Sequence, residues 1–249
     1  MNQTLKRCVH DFGMGLLLTM MAGGGATAEE AKSPGETGMT LHHLHMSMLD
    51  HGLGMAAEGS NLLMLSEMGM AAEFNPTTRA HGQAMLKRGK ALIERALSGE
   101  EMKGLHEKAG TEGAMMRQTH ELGEAMKAVV SVLEGMRPAE AKPGEEMTLH
   151  HTHTHMHMAL NHALAMAAEG ADLIMLGEMG MAPKVDTASS EHGKAMLADA
   201  RQLWDEVMKG KAMQGMMSAE PSKGMTQTHD LAEAGKKVID LLEKMHVSR

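Results

Sequence analysis

Residues 119–136 read THELGEAMKAVVSVLEGM, and residues 228–245 read THDLAEAGKKVIDLLEKM. In both segments, small and apolar residues recur at alternating intervals of three and four positions. This spacing places them on one face of an α-helix, as is typical of a helix that packs into a bundle. Met126, Met136 and Met245 lie on this seam and are therefore interpreted as core residues. The seam comprises Thr119, Leu122, Met126, Val129, Leu133 and Met136, matched by Thr228, Leu231, Gly235, Val238, Leu242 and Met245.

The rest of the chain is duplicated in the same way. Residues 39–136 form a first repeat and residues 147–249 a second. No stretch shows sustained strand alternation rich in Val, Ile or aromatic residues. The sequence therefore predicts an all-α fold of two tandem repeats, each a small antiparallel helical bundle. The matching segments are MTLHH at 39–43 and 147–151, MAAEG at 55–59 and 166–170, and EMGMA at 67–71 and 178–182.

Three long helices and a short Met-rich piece are predicted in each repeat. In the first repeat the long helices run roughly over residues 41–70, 75–97 and 112–136. Asn75 is suited to cap the second helix and Pro76 to occupy its first position, with Asp186 as the capping residue in the second repeat. Glycines at 52, 54 and 59 are interpreted as weak points in the first helix.

The N-terminus has the features of a secretory signal over residues 1–28. Lys6 and Arg7 precede a short apolar run, and Ala26-Thr27-Ala28 fits a small-residue cleavage site. The run is too short for a stable membrane span, so a periplasmic or secreted location is predicted. Residues 29–38 are expected to form a flexible lead-in, and residues 137–146 a linker.

Composition narrows the function. The chain has 31 Met and 17 His but no Tyr, and its net charge is −8. This balance argues against a nucleic-acid partner, which requires a basic patch. The chain has no nucleophile–base arrangement, phosphate loop or paired acid site, so it is predicted not to be an enzyme. The single cysteine, Cys8, lies within the predicted signal, which leaves no thiolate site in the mature chain.

Three histidines keep their place in both repeats, and each lies four residues from a methionine. Four residues is one helical turn, so each pair shares a helix face. Imidazole and thioether together suit copper, and thioethers select Cu(I). The histidines are His51/His162, His81/His192 and His120/His229, and their methionines are Met55/Met166, Met85/Met196 and Met116/Met225.

Antiparallel neighbours would gather these residues into two bundle clusters per repeat, which are expected to hold copper more tightly than any other part of the chain. In the first repeat the clusters are His51, Met55, Met116 and His120, and then Met64, Met68, His81 and Met85. In the second repeat they are His162, Met166, Met225 and His229, and then Met175, Met179, His192 and Met196.

Each repeat also begins with a His tract. Because the histidines alternate along the chain, they would share one side of an extended strand, so the tracts are interpreted as loosely ordered, lower-affinity capture segments. Imidazole accepts Cu(II) as well as Cu(I), so either ion could be captured here. The tracts contain His42, His43 and His45, and then His150, His151, His153, His155 and His157.

In its His-x-x-x-Met spacing and composition the chain resembles the Met/His-rich periplasmic proteins of bacterial copper resistance and copper storage. The resemblance implies sequestration or transfer of copper, with a copper exporter or chaperone as a partner. The helical copper-storage proteins line their bundles with cysteines, which this chain lacks. Two alternatives stay open: a b-type haem-binding bundle with His and Met ligands, and a metal-free helical envelope protein whose methionines bind partner helices.

Overall fold

The computed structural model describes residues 34–68, 75–100, 102, 104, 110–136, 147–180, 183–211, 213, 214 and 223–247. Within these residues there are six long helices and no strand, which confirms the predicted all-α fold. The predicted signal (1–28) and linker (137–146) lie outside the described residues. The helices are α1 (Pro34–Glu67), α2 (Asn75–Ser98), α3 (Thr111–Gly135), α4 (Met147–Glu178), α5 (Pro183–Lys209) and α6 (Lys223–His246).

The seams of α3 and α6 form the centre of the core. All twelve seam residues are buried, as the three-and-four spacing predicts. Met126, Met136 and Met245 belong to the main hydrophobic cluster, so their interpretation as core residues is confirmed. Methionine fills such a core well because its unbranched chain adapts to irregular gaps.

Two helix starts differ from the sequence predictions. The first helix begins at Pro34 rather than near residue 41, so Pro34–Gly38, predicted as flexible lead-in, is helical. Proline suits a helix start because its fixed φ is helical and its missing N–H would have no partner there. α5 likewise begins at Pro183, which places Asp186 inside the first turn instead of at the cap. α2 begins at Asn75, immediately before Pro76, as predicted.

The glycines of α1 are packing positions, not weak points. An added Cβ at Gly59 would lie 2.7 Å from both the carbonyl oxygen of Gly82 and the amide nitrogen of Leu86 on α2. Gly170 and Gly193 make the matching contact between α4 and α5, where the added Cβ would lie 2.8 Å from a carbonyl oxygen. Only glycine lets the two backbones approach so closely. Gly54 is the exception, since no atom lies within 4 Å of its added Cβ.

The two repeats pack together. Residues Gly35–Arg249 form one compact unit, and a single hydrophobic cluster draws on both repeats. α3 lies antiparallel to α6: the Gln227 amide donates to the carbonyl oxygen of Gly135 at 2.7 Å, and Lys237 lies 4.0 Å from Glu121. α1 and α4 are also antiparallel, since the Asn161 amide donates to the Asn61 side-chain oxygen at 3.0 Å.

The interface between α1 and α4 also holds two acids. Burial raises the pKa of Asp172 to about 7, against a hydrogen bond from Ser47 that lowers it and with the charge of Glu169 adding to the rise. Burial also raises the pKa of Asp50 well above its usual range, and the charge of Asp172 adds to this. Neither carboxylate oxygen of Asp50 has a hydrogen-bond partner within the described chain. The pair therefore favours at least one protonated carboxyl.

No described helix combines the length and apolar character needed to cross a bilayer.

Candidate metal site

The histidines of the predicted bundle clusters lie at the surface. Five of them are exposed and His120 is half-buried, whereas Met64, Met116 and Met175 are buried. Met64, for example, lines a cavity of about 430 Å³ beside Glu67 and Arg79. The exposed histidines are His51, His81, His162, His192 and His229. The imidazoles and these thioethers of each predicted cluster therefore lie in different environments.

The other thioethers of these clusters do not form a buried set. Met179 is exposed, and the side chain of Met225 lies outside the described residues. The half-buried methionines are Met55, Met68, Met85, Met166 and Met196. Among the described residues, no group of three or more His, Cys, Asp or Glu side chains is placed to hold a metal ion.

The described parts of the His tracts are helical and largely buried, so the interpretation of loosely ordered capture segments is wrong. A helix brings positions i, i+3 and i+4 to one face, and this face packs into the bundle. His155 alone among the described tract histidines is exposed; the side chains of His150 and His151 lie outside the described residues. The buried tract histidines are His42, His43, His45, His153 and His157.

In the first repeat, hydrogen bonds fix the orientation of two imidazoles. The Thr119 hydroxyl donates to the carbonyl oxygen of Met115 at 3.1 Å, so its oxygen accepts the N–H of His42 Nδ1 at 2.9 Å. His45 Nδ1 donates to the carbonyl oxygen of Leu41 at 2.7 Å. In both neutral rings the lone pair then lies on Nε2. Metal-binding histidines in proteins are oriented in the same way, with the second ring nitrogen donating to a fixed oxygen.

His43 lies on the same turn but faces α4. Its ring centroid is 5.6 Å from that of His42, and its Nε2 makes no hydrogen bond within the described residues. Burial lowers the pKa of His43, although the charge of Glu178 opposes this effect. The ring is therefore held in the neutral form, which is the form that binds metals.

The second repeat has an equivalent anchored histidine. His153 Nε2 lies 2.6 Å from the Thr228 hydroxyl oxygen, and Thr228 is the seam counterpart of Thr119. One turn later, His157 meets His153 with ring centroids 6.1 Å apart in an edge-on arrangement. Burial lowers the pKa of His157 to about 3, helped by the charge of His153. His157 is therefore a neutral imidazole at any physiological pH.

Buried methionines accompany both anchored histidines. In the first repeat, Met102 packs with Met116 against Leu41, the residue next to His42. Met213, the counterpart of Met102 in the second repeat, is also buried. Together these residues define two sets, one at the start of α1 and one at the start of α4. The first head cluster is His42, His45, Met46, Met102 and Met116; the second head cluster is His153, Met156, His157 and Met213.

The histidines of the two repeats correspond differently from what identical letters suggest. MTLHH at 39–43 and 147–151 aligns His42 with His150, whereas the bonds to the two seam threonines match His42 with His153. The matching pairs Gly59/Gly170 and Gly82/Gly193 have the same spacing of 111 residues. The second tract therefore has three extra residues at its start. The spacing of Met55 and Met166 already contained this signal.

Comparisons with known proteins leave the chain without a family. No protein-family model matches it, and comparisons with curated proteins and with solved structures gave no significant match.

Proposed function

We propose that the protein binds copper, as Cu(I), through the two head clusters. The observation that supports this best is the anchored histidine in each repeat. His42 and His153 are both buried, and both bond to the threonine that begins the apolar seam of the last helix. Such a bond orients an imidazole for metal binding, and its presence in both repeats argues for a shared purpose.

The donor atoms favour a soft ion. Each head cluster contains two imidazoles, and its other candidate ligands are methionine sulfurs. Thioethers select Cu(I), and imidazole accepts both oxidation states of copper. The buried setting also supports the lower charge, because transferring an ion from water into a protein interior costs less for a monovalent than for a divalent ion.

The proposed role is copper sequestration or transfer in the periplasm, without catalysis. It draws on the signal-like N-terminus and on the resemblance to copper-resistance and copper-storage proteins. The partners would be the metal ion and a copper exporter or chaperone. Ligands that do not oxidise to disulfides suit such a compartment, since thiols there are readily oxidised.

Replacing both anchored histidines should abolish tight copper binding. We expect His42→Leu with His153→Leu to lose the Cu(I) that the unaltered protein withholds from a chromogenic Cu(I) chelator under anaerobic conditions. Leucine fills similar space in the helix and provides no metal ligand.

The matched control replaces two exposed histidines, one in each repeat, as His81→Leu with His192→Leu. This variant should keep its tight copper, which reverses the order predicted from sequence. Equal loss in both variants would contradict the head clusters as the site. No tight copper in the unaltered protein would contradict the function and favour the metal-free alternative.

The threonine anchors should tune affinity. Thr119→Val with Thr228→Val keeps the shape of the side chain but removes the hydroxyl that orients each imidazole. Loss of such an outer partner costs about 10–100-fold in metal affinity, and we expect that decrease in the same chelator competition. Ser131, whose hydroxyl donates to the Lys127 carbonyl oxygen at an exposed position, provides the control as Ser131→Ala. Equal affinities in all three proteins would show that the threonines serve packing alone.

A further inference from the structure

His157 has no hydrogen-bonding role in the described fold. It is fully buried, and neither of its ring nitrogens makes a hydrogen bond to a described residue. A buried polar group without a partner costs about 1–3 kcal/mol of folding stability. An apolar residue would avoid this cost, and the first repeat has one at the equivalent position, the fully buried Met46.

The neighbouring position shows the opposite exchange. With the spacing of 111 residues, His45 corresponds to Met156, and both are buried. Each repeat therefore has an anchored histidine, followed three and four residues later by one histidine and one methionine in opposite orders. The donor composition is the same in the two repeats, although the positions are swapped.

Helix geometry explains why the order can change. Positions three and four residues after the anchored histidine both lie beside it on the same helix face. A donor atom from either position can reach a common point next to the anchored imidazole. Packing alone would not favour the swap, because it places an unpartnered imidazole where methionine already fills the core of the first repeat.

We infer that His157 is a metal ligand, and that the second head cluster binds one Cu(I) ion through His153, His157 and Met156. The set corresponds to His42, His45 and Met46 in the first repeat. The edge-on placement of His157 against His153, with centroids 6.1 Å apart, keeps the two imidazoles adjacent without a hydrogen bond between them. This ligand assignment rests on the proposed function.

The test compares two variants of the purified protein by anaerobic Cu(I) titration against a chromogenic chelator. His157→Leu should lose one of two tightly bound equivalents and keep the one held by the first repeat. The swap variant, Met156→His with His157→Met, gives the second repeat the order of the first. It should keep both equivalents, and it also preserves the composition of the core if His157→Leu alone disturbs folding.

The outcomes separate this inference from the proposed function. Two equivalents with unchanged affinity in His157→Leu would overturn the ligand assignment and leave copper binding intact. Loss of an equivalent in a folded swap variant would also overturn it, because the donor composition is then insufficient. Absence of tight copper in the unaltered protein would overturn the proposed function itself, together with the assignment. Circular dichroism of each variant establishes that it is folded.

Discussion

Replacing Gly59 with alanine is expected to destabilise the protein by about 2 kcal/mol, although alanine is the better helix former. The new methyl group would lie 2.7 Å from two backbone atoms of α2, the Gly82 oxygen and the Leu86 nitrogen. Backbone atoms inside a helix cannot turn aside as a flexible side chain can. α1 and α2 must therefore separate, which loosens the apolar contacts along the whole pair. Urea unfolding followed by circular dichroism measures the effect.

The same change five residues earlier should have the opposite sign. Gly54 lies in the same helix, but its added Cβ meets no atom within 4 Å. Gly54→Ala should therefore stabilise the protein by about 0.5–1 kcal/mol, the intrinsic preference of a helix for alanine over glycine. A stabilised Gly59→Ala variant would show that α1 and α2 do not make the close contact described.

The stability of the protein is expected to fall as the pH rises from about 4 to above 7. Asp172 has a pKa of about 7 in the folded chain, raised mainly by burial, against 3.8 as its ordinary value. Between these values the folded state binds more protons than the unfolded state, so raising the pH favours unfolding. A shift of this size corresponds to at most about 4 kcal/mol. Urea unfolding at a series of pH values would measure it.

The variant Asp172→Asn isolates this contribution from that of the other acids. Its amide can donate to the carboxylate of Asp50 and carries no charge. The difference in unfolding free energy between variant and unaltered protein should therefore grow in favour of the variant as the pH rises. Surface acids contribute equally to both proteins and cancel. A difference that stays constant with pH would contradict the raised pKa.

Most of the fold could be predicted from sequence because apolar spacing reports directly which helix face is buried. The seam from Thr119 to Met136 was identified completely, and α2 starts at Asn75 as its capping residue and proline indicated. The start of α1 was missed because Gly35 and Gly38 lower helix propensity locally, an effect that the longer helix overrides. Gly59 was misread for a related reason, since a helix-weakening residue and a close-packing residue look identical in one sequence.

The candidate site was only partly predictable. The His tracts were recognised as metal-binding candidates, but their alternation suggested an extended strand, and MTLHH suggested a wrong correspondence. Burial could not be read from the letters, because histidine is common at surfaces and in interiors alike. The roles of Thr119 and Thr228 depend on a contact across more than 70 residues. No local pattern contains such a contact, and only the packed bundle brings the two residues together.

The α1–α4 interface also bears on how a duplicated chain of this kind is assembled. With the 111-residue spacing, Asp50 corresponds to Asn161, and Asn61 corresponds to Asp172. Within the chain, like therefore meets like: amide with amide and acid with acid. In a symmetric dimer of two copies of either repeat, every acid would meet an amide at both ends of the interface, as self-complementary two-fold contacts require. Each half has retained the chemistry to pair with its own copy, and the fused chain is the arrangement that brings the two carboxyl groups together.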